Sequence, residues 1–190
     1  TVSGITSSNK VYDGNTTAGV VTSGAVYTGL VSGDAVAVSA TGVFADKNVG
    51  SSKVVTLSST YSGADVGNYS ITDQANTTAD ITAKVLTITG SSASNKTYDG
   101  TTSATVTAGT LTGFVGSETV TTSAVGTFAD KNAGTGKTVT MVYTLADGTN
   151  GGLASNYSLA DATTTAAITA KALTVSGITS SNKVYDGNTT

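Results

Sequence analysis

The chain has 190 residues with 9 Lys or Arg and 12 Asp or Glu, so its formal net charge is −3 at pH 7. It contains no Cys and no His, which excludes a disulfide framework and a catalytic triad with a histidine base. The basic residues are single, widely spaced lysines, whereas a nucleic-acid-binding protein has a clustered basic face. No apolar run approaches membrane-spanning length. We therefore expect no nucleic-acid partner and no direct membrane insertion.

An internal repeat organises the chain. The hexapeptide Asn-Lys-Val-Tyr-Asp-Gly at residues 9–14 returns, with one change, at 95–100 and again unchanged at 182–187. Other segments recur in the same order, including Phe-Ala-Asp-Lys-Asn at 44–48 and 128–132. We therefore predict two modules, residues 1–85 and 86–172, followed by the truncated start of a third, residues 173–190.

The third copy of the repeat indicates a larger unit. Residues 174–190 are identical to residues 1–17, whereas residues 87–103 match them at only nine of 17 positions. The repeating unit is therefore a doublet of two unlike modules, and we expect the chain to be an excerpt of a longer array.

Short runs of alternating apolar and polar residues predict β-strands throughout each module. Thr and Val are abundant and favour strands, and no window carries a convincing helical stripe. In the clearest run, Val139, Met141 and Tyr143 are expected to face inward and the intervening threonines outward. Such short strands separated by turn residues are typical of a sandwich or barrel, with seven or eight strands per module.

The recurring motifs predict turns. Asp13-Gly14 and Asp99-Gly100 are strong turn signals because Gly accepts positive φ and Asp bonds its own backbone. The tyrosine before the second of these turns, Tyr98, is expected to lay its ring on the core and to point its hydroxyl outward. Residues 46–50 are predicted to form a tight connection between strands.

One segment favours a particular fold. Residues 65–71, with Asp65 leading into Asn68-Tyr69, have the pattern of the turn-then-tyrosine corner of immunoglobulin-like sandwiches. The second module has Leu153 where this Asp would fall. We predict tandem immunoglobulin-like β-sandwiches joined end to end, with β-grasp-like modules as the alternative.

No flexible linker separates the modules. Residues 81–84 run directly into residues 85–88 without Gly or Pro, whereas a flexible joint is usually Gly- and Ser-rich. We expect the modules to stack with limited bending. Strands of about ten residues then predict a two-module rod of roughly 70–80 Å.

With these motifs, the modules resemble the YDG-type repeats of large bacterial surface and secreted adhesins, including filamentous-haemagglutinin-like proteins. The resemblance covers essentially the whole chain and implies no catalytic residues. The residues that carry this structural signature are Tyr12, Asp13, Gly14, Phe44, Asp46, Asn48 and Tyr69 in the first module and Tyr98, Asp99, Gly100, Phe128, Asp130, Asn132 and Tyr157 in the second.

No chemical site emerges from the residue pattern. The aspartates lie beside Gly, Asn or Ser, where turns explain them, so we expect no enzyme, no catalytic residue and no required cofactor. Calcium is kept as an alternative, at a site assembled between modules from loop aspartates. A Lys–Asn isopeptide bond involving Lys53 or Lys137 is weighed against edge lysines that oppose aggregation. A sugar platform of Tyr27, Tyr61 and Phe114 is weighed against ordinary packing.

We therefore predict a structural role. The resemblance and the composition favour an extracellular stalk or spacer repeat of a cell-surface or secreted adhesin, projecting a distal binding region in adhesion or biofilm formation. The expected partners are neighbouring copies of the repeat in the chain, and the distal ligand is unknown. The alternative is a module that binds a glycan or host protein and acts by avidity.

Overall fold

The computed structural model describes all 190 residues. It consists of β-strands and two short 3₁₀ helices, which confirms the predicted all-β class. The first module contains the 3₁₀ helix Val66–Asn68 and nine strands: β1 (Val2–Ser3), β2 (Thr6–Ser7), β3 (Lys10–Val11), β4 (Thr17–Ala18), β5 (Val20–Val21), β6 (Val26–Tyr27), β7 (Ala37–Phe44), β8 (Gly50–Ser62) and β9 (Asn76–Thr82).

Five of these strands form the main sheet of the first module, in the order β3-β9-β8-β7-β4. Its centre is the β7–β8 hairpin, which pairs Ala37 with Ser62 at one end and Phe44 with Val55 at the other. Strands β3 and β9 are parallel, and the other neighbours are antiparallel. The remaining strands form two antiparallel ribbons, β1 with β6 and β2 with β5. The parallel pair places the first Tyr-Asp-Gly turn beside the end of the module's last strand.

The second module repeats this topology. Its sheet order is β13-β20-β18-β17-β14, its parallel pair is β13 with β20, and its ribbons are β11 with β16 and β12 with β15. Its elements are the 3₁₀ helix Ala154–Asn156 and the strands β10 (Lys84–Val85), β11 (Thr87–Thr89), β12 (Ser92–Ala93), β13 (Lys96–Thr97), β14 (Ser103–Ala104), β15 (Val106–Thr107), β16 (Thr110–Thr112), β17 (Val120–Phe128), β18 (Gly134–Asp147), β19 (Tyr157–Ser158) and β20 (Ala162–Thr169).

The strand count exceeds the predicted seven or eight per module because the ribbons break into strands of two or three residues. The predicted alternation in β18 is confirmed. Val139, Met141 and Tyr143 are buried, while Thr138 and Thr140 are exposed. Period-two patterning therefore located the inner face of this strand correctly.

The tyrosine corner differs from the predicted arrangement. The Tyr69 hydroxyl accepts a hydrogen bond from the backbone N–H of Val31, 38 residues upstream and in another loop. In immunoglobulin domains the corresponding bond returns to the backbone only a few residues upstream. The immunoglobulin-like sandwich and its β-grasp-like alternative both stay predictions beyond the all-β class.

The two modules are connected by a single residue, Ala83, between β9 and β10. Strand β10 pairs in parallel with β19 of the second module, so the chain leaves one module's sheet and joins the other module at once. The largest hydrophobic cluster also spans both modules. It comprises Tyr12, Ala18, Phe44, Val55, Ala79 and Ile81 from the first module and Leu86, Val120 and Tyr157 from the second.

Residues 170–190 form no strand. They include the segment identical to residues 1–17, yet Tyr185 is 93% exposed whereas its counterpart Tyr12 is 1% exposed. Residues 1–17 pair with β5, β6, β7 and β9, all of which come from residues 20–82. Burial of this segment therefore depends on the module that follows it and not on its own sequence.

Candidate functional site: the junction between the modules

The repeated hexapeptide builds its turn from its own side chains. Lys10 Nζ donates to Asp13 Oδ1 at 2.8 Å and to the carbonyl of Thr17 at 3.1 Å. The Asp13 carboxylate also accepts the backbone N–H of Asn15 at 3.1 Å. Gly14 closes the turn with a φ of 80°, a value that glycine adopts without steric cost.

The other copies form the same turn. Lys96 Nζ lies 2.8 Å from Asp99 Oδ1, and Lys183 Nζ lies 2.7 Å from Asp186 Oδ1. The third copy forms this ion pair although its apolar residues are exposed. The ion pair therefore forms without any packing from a module, and Asp13 and Asp99 stabilise the turn itself.

The Phe-Ala-Asp-Lys-Asn segment is a second self-supporting turn. Asp46 Oδ1 accepts the backbone N–H of Asn48 at 2.8 Å and the ammonium of Lys53 at 2.7 Å. In the second module Asp130 accepts the backbone N–H of Asn132 and the Lys137 ammonium in the same way. The aromatic residues Phe44 and Phe128, which precede these turns, are both buried. The two aspartates thus fix the connection and leave the next residue, a lysine, free to reach outward.

Tyr12 crosses from the first module into the second. Its hydroxyl donates to Glu118 at 2.8 Å and lies 3.0 Å from the second carboxylate oxygen. The hydroxyl of Tyr157 donates to Glu118 at 2.7 Å and accepts the backbone N–H of Val115 at 3.1 Å. The neighbouring module therefore covers the Tyr12 hydroxyl with a carboxylate. The ring of Tyr98, for which the sequence predicted an outward-pointing hydroxyl, packs against the core of the second module.

Lys47 neutralises the charge of the Glu118 carboxylate. Its ammonium lies 2.7 Å from Glu118 Oε1 and 5.9 Å from the centre of the Tyr12 ring. Glu118 is a buried residue, and a buried carboxylate is tolerated when it is paired and fully hydrogen-bonded. Three donors from both modules satisfy it, which makes the contact directional as well as charged.

Aromatic rings surround this carboxylate. The rings of Tyr12 and Tyr157 meet edge to face with centroids 5.6 Å apart, and Phe114 meets Tyr157 similarly at 6.0 Å. Edge-to-face pairs of this kind add to the stabilisation that area burial provides. Phe114 therefore packs at the junction, while Tyr27 accepts a backbone N–H and Tyr61 donates to Asp73. These three aromatic residues do not form a joint platform for sugar.

A second polar contact lies apart from the carboxylate. Asn156 is completely buried, and its side-chain oxygen accepts the backbone N–H of Val49 at 2.9 Å. Its side-chain nitrogen donates to the Asn48 side chain at 3.0 Å. Two separate sets of directional bonds thus connect the modules, and together they restrict rotation of one module against the other.

The electrostatics favour a charged Glu118 between neutral tyrosines. Burial would raise the pKa of Glu118, but hydrogen bonds from Lys47, Tyr157 and Tyr12 lower that pKa below its ordinary value of 4.5. Burial, followed by the bond to Glu118, raises the pKa of Tyr12 above 10. Burial also raises the pKa of Tyr157 to about 12. This charge state therefore persists from mildly acidic to alkaline pH.

The signature residues lie in four kinds of location. Tyr12, Gly14, Asn48 and Tyr157 lie at the junction, with Phe44 in the hydrophobic cluster behind it. The four aspartates hold turns, and Phe128 lies in the core of the second module. The remaining residues lie at the outer ends of the pair, where no module covers them: Tyr69 at one end, and Tyr98, Gly100 and Asn132 at the other.

Sequence reasoning missed Glu118 and Lys47. Glu118 is the only Glu in the chain, and it stands where the first module has Asp34, after the matching segments Thr-Gly-Leu-Val at 28–31 and Thr-Gly-Phe-Val at 112–115. That change of residue type between aligned modules was the available signal. Lys47 lies inside a recurring motif, and nothing in the motif separates its role from that of Lys131.

The other chemical alternatives receive little support from the geometry. Lys53 and Lys137 each contact an aspartate of the same turn rather than an asparagine. No three residues among His, Cys, Asp and Glu come together in a group that could hold a metal ion.

None of the helices has the length and apolar character needed to cross a membrane.

The comparison with known families matches this architecture. Residues 1–79 and 82–166 each match the family model of the YDG domain. The chain therefore belongs to the YDG domain family and contains two copies in tandem. Neither the curated proteins nor the solved structures gave a match.

Proposed function

We propose that these modules form a stiff spacer in the stalk of a bacterial cell-surface or secreted adhesin of the filamentous-haemagglutinin-like kind. In this role the array lies outside the cell and projects a distal binding region in adhesion or biofilm formation. The observation that carries the proposal is the buried junction, in which Tyr12 and Lys47 of one module hold Glu118 of the next.

The junction has the features that a load-bearing, non-rotating joint requires. The connection is one residue long, the hydrophobic cluster is continuous across it, and two separate sets of polar contacts fix its orientation. Modules joined by small polar interfaces are expected to move against each other. A continuous core with a satisfied buried carboxylate opposes that motion.

The doublet repeat also suits a spacer. The output of a spacer is its length, which grows with copy number, so exact duplication of residues 1–17 at 174–190 is useful without any binding site. The aspartates found by sequence are occupied in turns, and none is arranged with a second group for acid–base chemistry. These observations favour a mechanical function over an enzymatic one.

The proposal is tested by small-angle X-ray scattering on chains of one, two and three doublets. A stiff array requires the radius of gyration to increase in proportion to the number of modules. The radius of gyration of a flexible array would increase only as about the square root of chain length. The matched control inserts Gly-Gly-Ser after Ala83 and after the equivalent alanine of every further doublet, which leaves the modules intact and should move the scaling from the first behaviour toward the second.

Ligand binding is the competing function, and the same samples test it. The doublet is applied to arrays of glycans and host extracellular proteins. A spacer gives no saturable signal, and attachment of cells displaying the adhesin falls as doublets are removed. Saturable binding by a single doublet would contradict the spacer function and establish the avidity alternative.

A further inference from the structure

At the junction, the second module contributes a carboxylate, Glu118, that is held by the hydroxyl of Tyr157. The first module contains an equivalent carboxylate and tyrosine. The Tyr69 hydroxyl donates to Asp34 Oδ2 at 2.5 Å and accepts the backbone N–H of Val31 at 3.0 Å. This is the pattern that Tyr157 makes with Glu118 and with its own backbone partner. We name Val31, Asp34 and Tyr69 the open acidic end.

The open acidic end is formed but uncovered. Val31 is 62% exposed, whereas its counterpart Val115 is partly buried and packs against the shared cluster. Asn68 at this end is also exposed, although its counterpart Asn156 is buried. The difference between the two acidic ends is therefore the presence of a module against one of them.

A cavity of about 120 Å³ adjoins this end. Its apolar lining consists of Val2, Tyr27, Leu30, Val36 and Ile71, together with the Tyr69 ring. Apolar cavities of about 150 Å³ accept a benzene-sized group, so this volume suits one aliphatic side chain.

The second module shows what fills such a cavity. There Leu86, immediately before the β11 strand, is buried in one hydrophobic cluster with Val120 and Tyr157, and Leu111 and Phe114 pack against that cluster. The other four residues are the repeat equivalents of Val36, Tyr69, Tyr27 and Leu30. Leu173 stands immediately before the copy of residues 1–17 in the same way, and it is almost fully exposed. This leucine lies just after the last strand of the second module, at the outer end that carries the Tyr98 turn.

The outer end of the second module carries the residues that complement the open acidic end. Tyr98, Lys131 and Asn132, which we name the open tyrosine end, occupy the positions that Tyr12, Lys47 and Asn48 hold at the junction. The Tyr98 hydroxyl makes no hydrogen bond within the chain, and Lys131 is exposed and in no ion pair. An uncommitted cation and hydroxyl thus face outward at one end, and an uncovered carboxylate does so at the other.

We propose that the open tyrosine end of one copy of this chain docks on the open acidic end of a second copy. In this contact the Tyr98 hydroxyl and the Lys131 ammonium bind the Asp34 carboxylate, and Leu173 enters the adjoining cavity. The contact deepens the proposed stalk function, on which it rests, since the same pairing would join successive doublets in an array. Because the two surfaces differ, association is head to tail.

The test uses sedimentation velocity of the full chain up to about 1 mM, the effective concentration that a short tether provides. We expect concentration-dependent association, weakened at least tenfold by Lys131→Glu and by Asp34→Lys. Mixing these two variants should restore association, since each then meets a complementary end. A carbodiimide cross-link between Lys131 and Asp34, identified by mass spectrometry, should form in the unmodified chain and in the mixture of the two variants, but with neither variant alone.

Lys183→Glu is the matched control, because it makes the same charge change in the segment identical to residues 1–17. Loss of association with this variant but not with Lys131→Glu would mean that the segment exchanges between copies, and it would overturn the proposal. A chain that stays monomeric at about 1 mM, or association indifferent to both end variants, would overturn it as well. Failure of the stalk function is distinguished with a single doublet: independent motion of its two modules would contradict the stalk function whether or not copies associate, whereas two and three doublets also depend on the end-to-end contact.

Discussion

The hydroxyl of Tyr12 donates a hydrogen bond of 2.8 Å to Glu118, a residue 106 positions later in the chain and in the other module. Tyr98, the repeat equivalent of Tyr12, has the same motif around it and no such partner. The two tyrosines thus form a natural matched pair, in which one is part of the junction and the other is not.

Replacing Tyr12 by Phe removes one donor to the buried carboxylate and leaves the ring in place. We expect the free energy of unfolding to fall by about 1.5–3 kcal/mol, the usual contribution of a hydrogen bond to a charged group. Tyr98→Phe, the control, should change it by less than about 0.5 kcal/mol. Urea unfolding followed by circular dichroism measures both, and equal effects would show that the junction bond is not formed.

Glu118→Gln keeps the shape of the side chain but removes its charge, so Lys47 loses its partner and an amide N–H₂ faces other donors. We expect a loss of about 1–3 kcal/mol in the free energy of unfolding and separate unfolding of the two modules. Asp34→Asn is the matched change at the open acidic end, and we expect it to leave unfolding a single transition. A single unchanged transition in Glu118→Gln would contradict the role given to the carboxylate.

The junction should weaken in acid. The pKa of Glu118 is lower in the folded chain than its ordinary value of 4.5, so its stabilising contribution is complete above pH 4.5 and is lost as pH falls through the lower folded value. The stability difference between the unmodified chain and Glu118→Gln should therefore be constant from pH 5 to neutrality and shrink below pH 4.5. A difference that does not change with acidification would contradict this assignment.

Alkaline pH should also weaken the junction, because the tyrosines that bond Glu118 lose their protons. The folded pKa of Tyr157 is about 12 against an ordinary value of 10, so its contribution is present below pH 10 and is lost as pH rises toward 12. Ultraviolet titration, with Tyr12→Phe and Tyr157→Phe to assign the signals, should show these two tyrosines ionising above pH 10. Ionisation of Tyr12 and Tyr157 near pH 10 would contradict burial at the junction.

Gly14 and Gly100 provide a steric test. Both have φ near 80°, so alanine at either position costs roughly 1–2 kcal/mol from the left-handed conformation alone. A Cβ at Gly14 would also lie 2.7 Å from Val115 Cγ1 across the junction, whereas one at Gly100 meets nothing within 4 Å. We expect Gly14→Ala to cost about 1–3 kcal/mol more than Gly100→Ala in urea unfolding. Equal costs would mean that the modules are not in contact here.

Local patterning predicted much of the fold. The repeat gave the two modules, alternation gave the buried face at Val139 and Met141, and the Asp-Gly pairs gave the turns. These features depend on neighbouring residues, so a local pattern suffices to find them. The hydrogen-bonding role of the recurring aspartates follows from the same short-range chemistry.

The junction could not be predicted in this way. Tyr12, Tyr98 and Tyr185 have nearly the same neighbours in sequence, yet they are buried, half-buried and exposed. Their environments are decided by the module that packs against each turn, which is a contact across more than 100 residues for Tyr12. The unique Glu118 was a usable clue only once the modules had been aligned position by position.

The stalk function requires the two modules to move as one body, and ¹⁵N NMR relaxation of the full chain tests this directly. If the junction around Glu118 holds, a single anisotropic rotational diffusion tensor describes the amides of residues 1–82 and of residues 84–169 together. The Gly-Gly-Ser insertion after Ala83 should split that description into two. Separate, shorter correlation times for the two modules in the unmodified chain would contradict the account.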